Sequence, residues 1–177
     1  MMKKIIAFSG SNSTTSINQQ LIHIVAKYAK EATVEIISLI DYPAIIYGVD
    51  EEQLNGFPET MVALQKKLAN ADGYIISTPE HNGSMPAVYK STTDWLSRIG
   101  EKIYNNKPTV FLSTSPGPRG ASSALEHLLA ISPFRGANVI GGYSVGSFQD
   151  KVENGELTDI EDVNAIKALV EQLENQL

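Results

Sequence analysis

The stretch Ile5-Ile6-Ala7-Phe8-Ser9-Gly10-Ser11-Asn12-Ser13-Thr14-Thr15-Ser16-Ile17-Asn18 decides how the rest of the chain is read. Its first four residues form a wholly apolar run, the pattern of a strand covered on both faces. A loop of small hydroxylated residues follows, and a helix begins at or near Ser16. Hydroxyls and free backbone N–H groups then converge beside the positive end of a helix dipole, an arrangement suited to an anion and above all to a phosphate. The plainer reading is a helix N-cap, but a cap needs one hydroxyl, contributing about 1 kcal/mol. This loop offers Ser9, Ser11, Ser13, Thr14, Thr15 and Ser16. It holds no Lys or Arg, so a phosphate here is met by neutral donors. It also lacks the Gly-Lys-Ser/Thr of a nucleotide triphosphate loop and the G-x-G-x-x-G of a dinucleotide fold.

Outward from this stretch, apolar runs and helical patterns alternate. Residues 5–8, 34–39, 74–77, 110–113 and 138–140 read as short buried strands. Residues 16–30, 58–71, 86–99 and 122–130 carry apolar side chains at i, i+3, i+4 spacing, and a last helix over 159–176 places Val163, Ile166, Leu169, Val170 and Leu173 on one face. The expectation is an α/β fold, with a parallel sheet of five strands, helices on both faces and strand order 2-1-3-4-5. No linker or repeat divides residues 1–177, which read as one domain. Residues 41–57 are the longest irregular piece, expected over the sheet's C-terminal edge or against a neighbouring subunit, and 151–155 reads as a surface turn.

The 177 residues carry a net charge of -6, with 42% hydrophobic and 19% charged residues. Ordinary globular composition follows, and the acidic balance argues against nonspecific nucleic-acid binding. There is no cysteine, so disulfides, thiolate catalysis and Cys-ligated metals are excluded. The basic start Met1-Met2-Lys3-Lys4 is followed by too short an apolar run for a secretory signal, and no segment approaches a membrane span. A cytoplasmic protein without a membrane partner is expected. His23, His81 and His127 lie too far apart for metal-ligand spacing, so no metal site is expected. No G-x-S-x-G elbow is present either. An organic cofactor is left to carry any difficult chemistry.

Ligands of open parallel sheets bind outside the C-terminal strand ends where the strand order reverses. Two further loops leave such ends. Thr78-Pro79-Glu80-His81-Asn82-Gly83-Ser84-Met85-Pro86 is stiffened by a proline at each side, with Gly83 permitting close approach of a flat ligand. Glu80 and His81 could form an acid/base pair; the alternative is that Glu80 caps or pairs structurally while His81 covers the ligand. Ser113-Thr114-Ser115-Pro116-Gly117-Pro118-Arg119-Gly120 could pass beneath a planar ligand while Arg119 reaches an anionic co-substrate. Its plainer reading is a tight turn with a solvated Arg. Strand order 2-1-3-4-5 sets all three loops side by side.

Taken together, these segments resemble the NAD(P)H-dependent FMN reductases of flavodoxin-like fold, with their quinone, azo-dye and chromate reductase relatives. The family's G-S-x-R-x-x-S-x-N loop is matched by Gly10-Ser11-Asn12-Ser13-Thr14-Thr15-Ser16-Ile17-Asn18, with Ser13 in place of Arg. P-E-Y-N-x-S-x-P and D-W-L-S-R are matched by Pro79-Glu80-His81-Asn82-Gly83-Ser84-Met85-Pro86, with His81 in place of Tyr, and by Asp94-Trp95-Leu96-Ser97-Arg98. T-S-x-G is matched by Thr114-Ser115-Pro116-Gly117. The resemblance spans about residues 3–140. It implies that Ser11, Ser13, Ser16, Ile17 and Asn18 hold the FMN phosphate, that Pro79, Glu80, His81, Asn82 and Gly83 line the isoalloxazine ring, and that Ser115 and Gly117 approach its other side. NADPH or NADH is the implied reductant, with hydride passing through FMN N5 to a small acceptor in a ping-pong cycle and no side chain acting as general acid. A flavodoxin-type electron carrier is the rival reading. The helix over 89–99, with Trp95, resembles the family's homodimer interface, the alternative being a core-facing Trp.

Overall fold

The structure, a computed structural model, describes residues 2–100 and 102–177; Met1 of the basic start lies outside them. Strands β1 (Lys3–Ser9), β2 (Ala32–Ile36), β3 (Gly73–Thr78), β4 (Pro108–Thr114) and β5 (Asn138–Val145) form one sheet in the order β2-β1-β3-β4-β5, and every pairing is parallel. The expected order is the observed one. Side chains alternate across the sheet with the period of two that a strand imposes. Ile6 and Phe8 enter one core with Tyr74, Ile76 and Phe111, whereas Ile5 and Ala7 enter the other with Ile75, Val110 and Leu112.

Helices α1 (Ile17–Val25) and α6 (Ile160–Glu174) cover the second of these faces through Leu21, Ile22, Ile166 and Val170. The first is covered by α3 (Glu59–Ala69), α4 (Ala87–Ile99) and α5 (Ser122–Ile131) through Met61, Leu64, Trp95 and Leu128. Between β2 and α3 the structure adds a helix the periodicity does not show, α2 (Val49–Asn55). It has acidic residues Asp50, Glu51 and Glu52 in its first turn and buries none of its side chains. With no apolar face, α2 leaves no periodic trace in the sequence; its local signals are the acidic start facing the helix dipole and Gly56, at a positive φ of 73°, at its end.

This irregular segment lies against α4. The Trp95 Nε1–H and the Ser91 hydroxyl both donate to the Ile45 carbonyl, at 2.9 and 2.7 Å, and Arg98 pairs with Glu52 at 2.9 Å. Trp95 has no exposed surface and meets Tyr47 edge-on with ring centroids 5.0 Å apart. It is therefore a core residue of its own subunit. Strand β5 runs beyond the expected 140 because Gly141 and Gly142 continue it. A Cβ on them would stand 2.7 and 2.9 Å from Leu169 and Leu129, so the glycines admit the helices packed on either face. Residues 151–155 lie in a hairpin of β6 (Val152–Glu153) and β7 (Glu156–Leu157).

Two carboxylates tie strand and helix starts in place. Asp72 accepts from the Lys4 amide at 2.9 Å and from the Lys3 ammonium at 3.2 Å, which hold it below its ordinary value of 3.8. Asp159 caps α6 by accepting from the Asp162 and Glu161 amides and pairs with Lys151; it too is held low, chiefly by the Asp162 amide. Depressed carboxylates contribute stability above their unfolded values and lose it as pH falls through the folded ones. Thermal melts are expected to hold their midpoint from pH 7 to about 5 and to fall below pH ~4. A midpoint independent of pH down to 3 would contradict that role.

Candidate functional site

The strand register sets Ser9 beside Ser77, Thr78 beside Ser113 and Thr114 beside Val145, so β1, β3, β4 and β5 end at one level. The three unusual loops leave from that level. Between them lies a groove of about 310 Å³, lined by Ser11, Ser13, Thr15, Ser16, Ile17 and Asn18 of the first loop, by Pro79, Glu80 and His81, by Thr114, Ser115 and Pro116, and by Gln149. That size is in the range of small-ligand sites.

The first loop is arranged by its own hydroxyls. Ser11 Oγ accepts from the Ser13 amide at 3.1 Å, Ser13 Oγ from the Thr15 amide at 3.3 Å, and Ser16 Oγ caps α1 by accepting from the Gln19 amide at 3.2 Å. A hydroxyl that accepts from an amide keeps its own proton to donate. The amides of Ile17 and Asn18, in the first turn of α1, make no hydrogen bond within the chain among the described residues. Both the single cap and the surplus of donors are thus present, and the surplus faces the groove.

The Asn18 side chain is turned inward. It is 2% exposed; its Oδ1 accepts from the Ser77 hydroxyl at 2.7 Å and the Thr114 amide at 3.1 Å, while its Nδ2 donates to the Thr114 carbonyl at 3.0 Å. It braces the ends of β3 and β4 against α1 and leaves its backbone amide for a ligand.

In the second loop, His81 and Ser84 exchange two backbone hydrogen bonds, 2.8 and 3.2 Å, across Asn82 and Gly83. These two residues have φ of 55° and 80°, the left-handed pair of a two-residue hairpin turn, for which Asn-Gly is the favoured sequence. A Cβ on Gly83 would meet nothing within 4 Å, so its glycine serves the turn rather than a close approach to neighbouring chain. Asn82 and Gly83 are exposed and do not line the groove, whereas His81 does. Glu80 Oε2 accepts from the Ala124 amide at 3.2 Å, capping α5, whose own N-cap residue Ala121 is left-handed and offers no side-chain bond. The structural alternative for Glu80 is therefore realised, and its capping contact fastens the second loop to α5.

The third loop closes through Gly120 N–H to the Gly117 carbonyl at 3.2 Å, with Ser115 Oγ also donating to that carbonyl. Ser115 lines the groove, whereas Gly117 is not among its lining residues. Arg119 is exposed and donates to Ser123 Oγ on α5, the solvated-turn alternative. Of the residues singled out from sequence, Ser11, Ser13, Ser16, Ile17, Asn18, Pro79, Glu80, His81 and Ser115 meet around the groove; Asn82, Gly83 and Gly117 stand outside its lining. Thr15, Thr114 and Pro116 join them, and their signal was adjacency to chosen residues. Gln149, beyond β5, carries no signal in the sequence.

A parallel sheet with an anion-suited loop, a proline-stiffened turn and a third loop at one edge defines a flavodoxin-like ligand site. The description "NADPH-dependent FMN reductase" is that of the family model matching residues 3–151, and the chain belongs to this family. It is accordingly an oxidoreductase that works with FMN and a nicotinamide nucleotide. The chain is similar to a 2-hydroxy-1,4-benzoquinone reductase of Burkholderia sp, 35% identical over 136 residues, covering 76% of this chain and 72% of the relative. It is 33% identical over 163 residues to a quinone reductase of Escherichia coli (strain K12), covering 88% and 85%. Among solved structures it resembles the flavoenzyme NAD(P)H:(acceptor) oxidoreductase FerB from Paracoccus denitrificans, with a TM-score of 0.79 and 25% identity over 98% of this chain and 96% of that one.

The groove's chemistry fits FMN. Neutral hydroxyls and, among the described residues, the unpaired amides of Ile17 and Asn18 stand at the α1 end, a donor set suited to a phosphate, while the Glu80 carboxylate is occupied at the α5 N-terminus.

Proposed function

We propose that this chain passes hydride from NADPH or NADH to a small acceptor, a quinone first and an azo compound or free flavin by the same route, in a ping-pong cycle. The observation that carries the reading is the convergence of the three loops on one open groove, whose phosphate end and ring end are built differently. Ser11, Ser13, Ser16 and the amides of Ile17 and Asn18 would hold the phosphate; Pro79, Glu80 and His81 would border the ring, with Ser115 on its other side. FMN, when bound, supplies hydride acceptance and donation at N5. The chain's part is to hold the ring in a fixed slot, to offer N–H donors where negative charge develops, and to leave one face open for nicotinamide and acceptor in turn. His81, exposed at the rim, covers whichever of these is present. The two quinone-reductase relatives support the choice of acceptor.

In this reading residues 1–177 act as one FMN-binding domain in the cytoplasm, paired as a homodimer through the exposed flank of α4. Support for that pairing comes from Ile46 and Leu54, 84% and 81% exposed, in the segment packed on α4. Sedimentation velocity of a monomeric species at micromolar concentration would remove the dimer.

The deciding experiment is steady-state oxidation of NADH and NADPH with added FMN and a quinone, an azo dye or free flavin as acceptor. Parallel double-reciprocal lines are expected; intersecting lines would exclude ping-pong, and an FMN-loaded protein that oxidises neither nucleotide would be the flavodoxin-type carrier. Ser13→Arg is expected to tighten FMN binding about 10-fold by adding a charged partner. Unchanged affinity in a fluorescence titration would place the phosphate elsewhere.

A further inference from the structure

Gln149 shares the groove with Ser11, Thr15, Ser16 and Ser115, although it follows a different strand from all of them. Its side-chain amide has no hydrogen-bond partner within the chain among the described residues, yet the backbone that carries it is fixed on both sides. Ser147, left-handed at φ 51°, donates its amide to the Gly117 carbonyl at 2.9 Å, and the Phe148 amide donates to the Ser115 carbonyl at 3.2 Å. Just before them, Gly146 passes so near the third loop that a Cβ there would stand 2.2 Å from the Pro118 carbonyl oxygen. The Phe148 side chain is buried in the core beneath α1, with Leu21 and Val145. On the other side, Lys151 pairs with Asp162 at 2.7 Å and Asp159 at 3.2 Å, and the buried Asp162 also accepts from the Tyr143 hydroxyl at 2.8 Å. These anchors fix the backbone from which the exposed Gln149 side chain extends.

Its side of the sheet tells which part of the ligand it meets. Phe148 belongs to the face covered by α1 and α6, the face on which the first loop enters its helix. The proline-stiffened second loop leads instead into α4, on the opposite face. Gln149 therefore stands at the phosphate end of the groove, where no Lys or Arg lines the wall among the described residues.

We propose that Gln149 is a binding residue that donates its side-chain amide to the phosphate end of FMN and helps the protein distinguish FMN from unphosphorylated riboflavin; this rests on the flavin reading given above. Gln offers two N–H donors without charge, which suits a wall that holds an anion through neutral groups alone. The assignment explains why the segment after β5 is tied so firmly to the third loop: the ties set a donor that no local pattern in the sequence reveals.

Fluorescence titration of FMN and of riboflavin against the wild-type protein, Gln149→Leu and Gln149→Glu tests it. Loss of the donor in Gln149→Leu should weaken FMN about 10-fold, the effect of one hydrogen bond to a charged group, and leave riboflavin within about twofold. Gln149→Glu should weaken FMN further by repulsion, again sparing riboflavin. Unchanged FMN affinity in Gln149→Leu would overturn the assignment, and so would an equal loss for both flavins, which marks a disturbed turn. A wild-type protein that binds riboflavin as tightly as FMN would overturn it as well. If the wild-type protein binds neither flavin, the flavin reading itself fails and the assignment falls with it.

Discussion

Asn18→Leu is expected to lower the free energy of unfolding by about 3–5 kcal/mol and to abolish measurable FMN binding. Leu matches the volume but none of the hydrogen bonds. It strands three groups at a site 2% exposed: the Ser77 hydroxyl, the Thr114 amide and the Thr114 carbonyl. Each buried group left unmatched costs on the order of 1–3 kcal/mol, reduced where the neighbours relax. The effect on binding follows from position, because two of these bonds tie the start of α1 to Thr114 of the third loop and the other ties it to the end of β3, from which the second loop leaves. Urea denaturation measures the first part and fluorescence titration the second. A loss below about 1 kcal/mol would show that β3 and β4 do not rely on this brace.

Trp95→Ala is expected to cost about 3–5 kcal/mol, the range for deleting a fully buried aromatic side chain. The Ile45 carbonyl keeps the Ser91 hydroxyl as a donor at 2.7 Å, so most of the loss is packing and the T-shaped contact with Tyr47. The segment before α2 should loosen with it, and hydrogen exchange should quicken at Tyr47, whose amide bonds to Ser91 at 3.0 Å. Because the ring is buried within its own chain, the destabilisation should not vary with protein concentration. A midpoint shift that grows with dilution would instead mean that Trp95 stabilises a subunit contact.

The two substitutions differ in how visible their targets are before the chain folds. Trp95 sits in a helix whose apolar spacing is plain, so its burial could be weighed from sequence, though the family resemblance pointed to a subunit interface. Asn18 follows a serine-rich loop and looks like one more polar ligand. Only its partners, 59 and 96 residues away along the chain, make it a brace. Glu80 is similar: the capping alternative was readable, but its target, the Ala124 amide, is 44 residues distant.

Local chemistry therefore determined much by itself. Continuous apolar runs separated by amphipathic segments require strands buried on both faces, and hence a parallel sheet between helices. The hydroxyl-rich loop, the paired prolines and the third motif marked three strand ends as unusual, and with the expected order they pointed to one site. The tertiary structure decided which side chains in those loops face the groove and which hold the frame. It turned Asn18 and Glu80 toward distant backbone groups, left Asn82, Gly83 and Gly117 outside the lining, and brought in Gln149 from beyond β5. The reason is physical. Periodicity and motif spacing report interactions over a few residues, whereas the direction of a polar side chain is set by whichever unpaired donor or acceptor the folded sheet places beside it.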